Sequence, residues 1–193
     1  MTSTAPTRDR LVATASRLLR RQGYSGTGVQ QVLEESCATR SSLYHYFPAG
    51  KDALVAEAIE SSAVALLEGL EAHRRETTEA SLDRWLRTLE KGLVRSDFAD
   101  GCPIATAALE IAPRGLDGAE NCASALDRFV GRIAAWLEDD GLPRKTARAN
   151  AELIVSAIEG ALVLAKAQRD CGPLSRLRRR IGQLIELNGG AQR

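Results

Sequence analysis

The chain has 193 residues, enough for one large domain or two modest ones, and 44% of them are hydrophobic, so a sizeable core can form. Aromatic residues are only 4%, which leaves Leu, Ala, Val and Ile to fill that core and favours helix-on-helix packing over β-sheet. The net charge of +1 by itself says nothing about nucleic acid, but up to Lys51 seven basic residues stand against three acidic ones, while the remainder carries nineteen against twenty-two.

In chain order, Met1 to Pro6 is short and polar and is read as disordered. Thr7 is placed to cap a first helix to about Gln22, with Leu11, Ala15, Leu18 and Leu19 on one face and Gly23 ending it. Arg20 and Arg21 fall in its last turn, where they complement the helix dipole. After Tyr24 and the loop Ser25-Gly26-Thr27, the stretch Gly28 to Phe47 reads as two short helices. The first runs from Gly28 to Ser36, with Val29, Val32 and Leu33 at helical spacing. Ser36-Cys37-Ala38 is a turn, and the second helix runs from Thr39, its N-cap, to Phe47, with Leu43 and Phe47 four residues apart on one face. Arg40, Ser41, Tyr44 and His45 fall outside that apolar stripe.

Pro48-Ala49-Gly50 breaks the chain. A fourth helix is predicted from Lys51 to about Arg75, its apolar set drifting around the helix; His73, near its end, reads as a surface histidine. Beyond the polar break at Glu76 to Ala80, Ser81 is taken to cap a helix to Arg95 with Leu82, Trp85, Leu86, Leu89 and Leu93 inward. Pro103 opens a short Ala-rich helix, Ile104 to Ala112, and a longer one follows from Gly118 to Asp139. Two helices close the chain, at about Arg144 to Arg169 and Leu174 to Leu187, each with apolar steps of three and four residues. The pattern holds no strand, repeat or low-complexity tract, and the fold class expected is all-α.

Several chemistries find no support. The four cysteines, Cys37, Cys102, Cys122 and Cys171, form no CxxC pair, and with two histidines a zinc site is not expected; no metal and no cofactor are predicted. There is no apolar leader and no uninterrupted apolar run of ~20 residues, so a cytoplasmic chain with reduced thiols and no membrane partner is expected. No nucleophile, P-loop or HExxH motif is present, and the chain is not expected to be an enzyme.

A short helix with an apolar anchor and an exposed Arg/Ser/Tyr/His surface is built to enter a DNA major groove. The segments RDRLVATASRLLRRQGYSGTGV, SCATRSSLYHYF and PAGKDALVAEAI hold, in order from about Arg8 to Ile59, the pattern of the DNA-binding domain of the TetR family of bacterial repressors, which the chain resembles. YHYFPAGKDAL and the later GCPIATAALE are similar to its LmrA/YxaF-like branch. One position departs: Cys37 stands where most members carry Gly, at a site that often needs a positive φ, which implies strain of roughly 1 kcal/mol or an altered turn.

The resemblance implies an N-terminal three-helix helix-turn-helix domain over residues 1–50 and a C-terminal effector-binding and dimerisation domain over 51–193. Its DNA-facing set is Thr27, Gly28, Thr39, Arg40, Ser41, Ser42, Tyr44, His45 and Lys51. Arg40 can donate two hydrogen bonds to guanine O6 and N7 or hold a phosphate; Thr27, Thr39 and Lys51 sit where members commonly meet phosphates. Between the middle helices the resemblance implies a pocket for a small apolar effector, for which Trp85, Phe98, Cys102, Ile104, Phe129 and Trp136 are candidates, with core filling the alternative for each aromatic. Cys102 reads as pocket lining or as a buried small hydrophobe, with a redox role as a third reading that would need a lowered pKa and exposure. The closing helices imply a homodimer through Ile154, Ile158, Ala161, Leu162, Leu177, Ile181 and Leu184. The function expected is a repressor that binds a palindromic double-stranded DNA operator as a dimer and is released by its effector. The rivals are a same-fold activator or ligand-independent DNA binder and, from another class, a helical ligand carrier or enzyme.

Overall fold

The computed structural model describes residues 5–189, and within them the chain forms nine α-helices and no strand. They are α1 (Thr7–Gly26), α2 (Val29–Ser36), α3 (Arg40–Tyr46), α4 (Lys51–Glu71), α5 (Thr78–Arg95), α6 (Pro103–Ile111), α7 (Ala119–Asp139), α8 (Arg144–Gln168) and α9 (Gly172–Gly189), with a 3₁₀ turn, Ala112–Arg114, after α6. The all-α class and the helix-turn-helix arrangement are as predicted. Of the segment Met1 to Pro6 expected to be disordered, Met1–Thr4 lie outside the described residues, and Pro6 is the N-cap position of α1.

Two compact units divide the chain, and neither is a single run of sequence. One holds Met1–Val64 and Cys102–Leu126; the other holds Ala65–Gly101 and Asp127–Arg193. The first unit therefore contains α1–α3, most of α4, α6 and the start of α7. It buries Leu11, Leu18 and Leu19 of α1, Leu43 of α3, Leu54 and Ile59 of α4, and Ile104 and Ile111 of α6. Helix α6 packs along α1. The second unit has one apolar core to which α5, α7, α8 and α9 all contribute, including Leu82, Trp85, Phe129, Ile133, Ile154, Ile158 and Ile181.

Local chemistry explains most helix ends. Helix α1 is kinked at Gly23, which takes φ 72° and ψ −172°, a region essentially reserved for glycine; the helix resumes for one turn beyond the predicted stop at Gln22. Helix α5 starts earlier than Ser81. Thr77 is its cap, its hydroxyl accepting the Ala80 N–H at 3.2 Å, and Asp140 accepts the Thr78 N–H at 2.7 Å. Ser81 is instead buried, donating to the Thr77 carbonyl and accepting the Arg75 N–H. Pro103 occupies the first turn of α6 as predicted, behind Cys102 as N-cap. Helix α4 ends at Glu71 rather than Arg75, and the His73 ring nitrogens lie 2.6 Å from the Gly69 carbonyl and 2.9 Å from the Thr88 hydroxyl.

Candidate nucleic-acid interface

The turn between α2 and α3 is fixed by backbone bonds rather than by side-chain bulk. Cys37 takes the left-handed conformation, φ 52° and ψ 40°. Its N–H meets the Glu34 carbonyl at 3.2 Å, and the Ala38 N–H reaches back to the Leu33 carbonyl at 3.0 Å. This is the paired ending that usually recruits glycine. Arg10 of α1 supports it from below, donating from Nε to the Ser36 carbonyl at 3.0 Å and from Nη2 towards the Cys37 carbonyl at 3.5 Å. A guanidinium at the C-terminal end of α2 also opposes that end's partial negative charge.

Thr39 then starts α3: its hydroxyl oxygen accepts the Ser42 N–H at 3.1 Å and lies 2.9 Å from the Ser42 hydroxyl. Leu43 is fully buried and Phe47 nearly so, and these two side chains anchor the seven-residue helix. Arg40, Ser41, Tyr44 and His45 are exposed on the other side, with Tyr44 46% accessible. No ion-pair partner for Arg40 exists among the described residues. Tyr46, also exposed at 41%, extends this surface and packs edge-on against His45; its place outside the Leu43/Phe47 stripe was the signal in the sequence.

Three other residues of the expected DNA-facing set sit differently. Thr27 is buried, and its hydroxyl donates to the Gly23 carbonyl at 2.7 Å, closing the kink. Gly28 is exposed as the N-cap of α2, with open space where a Cβ would stand. Lys51 turns inward: Nζ donates to the Tyr24 carbonyl at 2.7 Å and lies 4.0 Å from the Tyr24 ring centroid. Burial pushes the Lys51 ammonium below its ordinary value, partly offset by Asp52 and Glu110.

Residues 11–58 match the family model of the bacterial regulatory proteins of the tetR family, and residues 78–180 match the C-terminal domain model of the LmrA/YxaF-like transcriptional regulators. An HTH-type transcriptional regulator of Mycobacterium tuberculosis is 32% identical over 185 residues, covering 92% of this chain and 93% of its own length. The chain belongs to the LmrA/YxaF-like branch of the TetR family. YxaF of Bacillus subtilis is 28% identical over 98% of this chain and 100% of its own length. The fold matches the crystal structure of a regulatory protein TetR from Rhodobacter sphaeroides with a TM-score of 0.84 at 23% identity, covering 93% and 99% of the two chains. As a TetR-family member the chain is a DNA-binding transcriptional regulator, and α2 and α3 are its helix-turn-helix.

The residues expected around an effector fall in both compact units. Trp85 and Phe129 are buried together, ring centroids 5.4 Å apart, and Trp136 is buried in the same core with the Arg74 guanidinium 4.8 Å from its ring centroid. Phe98 packs at the edge of that core under Arg169. Cys102 and fully buried Ile104 belong instead to the unit that holds the helix-turn-helix, where the Cys102 sulfur accepts the Ala105 N–H at 3.5 Å. A shallow groove of about 470 Å³, lined by Glu90, Lys91, Val94, Arg95 and Cys171, includes none of the six. Sequence reasoning passed over Asn150, a buried carboxamide on α8 whose Nδ2 has no hydrogen-bond partner among the described residues.

The residues expected at a dimer interface all lie in the second unit and differ in burial. Ile154, Ile158, Ala161 and Ile181 point into the core of their own protomer, while Leu162, Leu177 and Leu184 are half-buried. The outward face of α8 carries a different stripe of small and apolar residues, Leu153, Ser156, Gly160, Val163, Leu164 and Ala167, with Val163 63% accessible. No helix among the described residues is long and apolar enough to cross a membrane.

Proposed function

We propose that this regulator is a cytoplasmic repressor that binds a palindromic operator as a homodimer and is released by a small apolar effector. The observation that carries the reading is α3: two buried anchors, Leu43 and Phe47, hold out a face of Arg40, Ser41, Tyr44 and His45 in which Arg40 has no competing carboxylate among the described residues. In helix-turn-helix proteins the N-terminal residues of the second helix meet base edges. Arg40 and Ser41 stand there, and Arg40 is the guanine reader or phosphate holder. Thr39, with the exposed first turn of α2 behind Gly28, lies beside it for phosphate contacts. Thr27 contributes through the kink rather than through DNA, and Lys51 chiefly through Tyr24.

One α3 spans only a few base pairs, and two copies related by a two-fold axis read half-sites about 34 Å apart. The exposed stripe on α8 supports the second copy, because Gly160 and Ser156 permit close approach while Leu153, Val163 and Leu164 supply apolar area. This replaces Ile154, Ile158, Ala161 and Ile181, which the protomer's own core uses. The effector side of the reading rests on Trp85, Phe98, Phe129 and Trp136, the large aromatics of the second unit. An effector acts by preferring the state that does not bind DNA.

The test is selection of duplexes from a random pool by the purified chain, followed by titration at several salt concentrations. Enrichment of an inverted repeat, with affinity falling steeply as salt rises, is the expected result. Enrichment of no sequence, or a flat salt dependence, overturns the reading.

A further inference from the structure

Glu110 lies on α6, within the span matched by the C-terminal family model, yet its carboxylate is docked on the N-terminal helices. One oxygen accepts the Tyr24 N–H at 2.9 Å and the other accepts the Ser25 N–H at 2.9 Å. These are the first two amides after the Gly23 kink. Successive backbone N–H groups converging on one anion form a nest, and bonds to an ionised acceptor are about twice as strong as neutral ones. Hydrogen bonding from Ser25 holds the Glu110 carboxyl below its ordinary range, so it is ionised at neutral pH.

Gly23 makes the nest possible in two ways. Its backbone, at φ 72°, breaks the α1 ladder and turns the next two amides outward. Its missing Cβ also leaves the space into which Glu110 Oε1 fits, with Thr106, one turn earlier on α6, closing the other side. A third bond reinforces these two, since Arg114 donates to the Ser25 hydroxyl at 3.1 Å. The carbonyl and phenol of Tyr24 meanwhile meet Lys51 and Asp52 of α4. One residue at the α1–α2 junction is thus gripped from α6 through its amide and from α4 through its other polar groups.

We infer that Glu110 is a positioning residue for DNA binding: seated in the amide nest behind Gly23, it ties the junction leading into α2 and α3 to helix α6, so that α3 is presented from a fixed platform. This rests on the dimeric, operator-binding reading above, in which two α3 helices must engage together. A loosened junction leaves each α3 able to touch DNA but weakens simultaneous engagement of both half-sites.

The experiment uses the full chain, wild type and the variants Glu110→Gln and Glu110→Ala, with the selected inverted-repeat duplex and a duplex bearing one half of it. Affinities are read by fluorescence anisotropy, and amide exchange at Tyr24 and Ser25 by hydrogen–deuterium exchange. The expected result is faster exchange at those two amides and about a tenfold or greater loss on the full site, with half-site affinity changed by less than about twofold. Equal losses on both duplexes, or an unchanged full-site affinity, overturn the inference. So does unaltered exchange at Tyr24 and Ser25 in Glu110→Ala. If the wild type itself gains nothing from the second half-site, the dimeric reading falls and this inference falls with it; a failure confined to the variants overturns the inference alone.

Discussion

Tyr24 donates its phenol hydrogen to Asp52 Oδ1 at 2.5 Å. Burial first, and that bond second, push the Tyr24 pKa up to about 12. The neutral phenol's contribution to stability is therefore whole below the ordinary tyrosine value of 10.0 and is lost as the pH rises through about 12. An ultraviolet titration of the folded chain should show a tyrosinate step near pH 12, and Tyr24→Phe should abolish it. The same variant should unfold about 1 kcal/mol more easily at neutral pH, because Asp52 loses its donor. A full late step persisting in Tyr24→Phe would assign it elsewhere.

Cys37 holds a left-handed conformation without being glycine, and its side chain is exposed. Cys37→Gly should therefore relieve backbone strain while losing little packing. A gain of up to about 1 kcal/mol in urea unfolding is expected, the relief being partly offset by the freer unfolded chain. Loss of stability by that variant would mean that the turn draws support from the thiol itself.

Arg40→Ala should weaken binding to the selected operator by about 1–3 kcal/mol. The two roles left open for Arg40 separate in how the loss is distributed. A guanine reader relaxes preference at one base pair per half-site, whereas a phosphate holder weakens all sequences alike and lowers the salt slope by about one per half-site. Competition titrations with single-base operator variants distinguish them, and unchanged affinity would remove Arg40 from the interface.

Gly160 sits mid-stripe on α8 with nothing near the position of a Cβ. Gly160→Arg should leave the chain's helical content intact yet convert the proposed dimer to monomer in sedimentation velocity, because a charged side chain would be buried between the copies. A variant that stays dimeric would place the interface off this face. Ile158→Ala, by contrast, removes a side chain wholly buried within the protomer and should cost about 2–5 kcal/mol of fold stability.

The sequence was most legible where a signal is local. The Thr39 cap, the Leu43/Phe47 pair four residues apart, and the positive φ considered for Cys37 all concern neighbours within a turn, and the structure has each of them. Legibility failed where a distant group decides. Thr77 and Ser81 are both good caps, and the Asp140 carboxylate bonded to the Thr78 amide goes with the earlier start. On α8 two faces are apolar, so spacing alone could not say that Ile154 and Ile158 serve the internal core while Leu153 and Val163 face outward. The resemblance set Thr27 toward phosphate, whereas its hydroxyl donates to the Gly23 carbonyl, a bond that depends on the kink. Glu110 gave no sign, being a lone carboxylate in an Ala-rich helix whose partners are backbone amides far upstream.

Helix α6 lies in one stretch of family sequence and in the other unit's core, where Ile104, Ala107 and Ile111 are buried. The transplantable DNA-reading module is therefore discontinuous. A chimaera spliced between residues 58 and 78, where the two family models leave a gap, would give the grafted head a foreign α6 against α1 and no assured carboxylate behind Gly23. Exchanging operator preference between relatives calls for residues 102–126 to travel with the head.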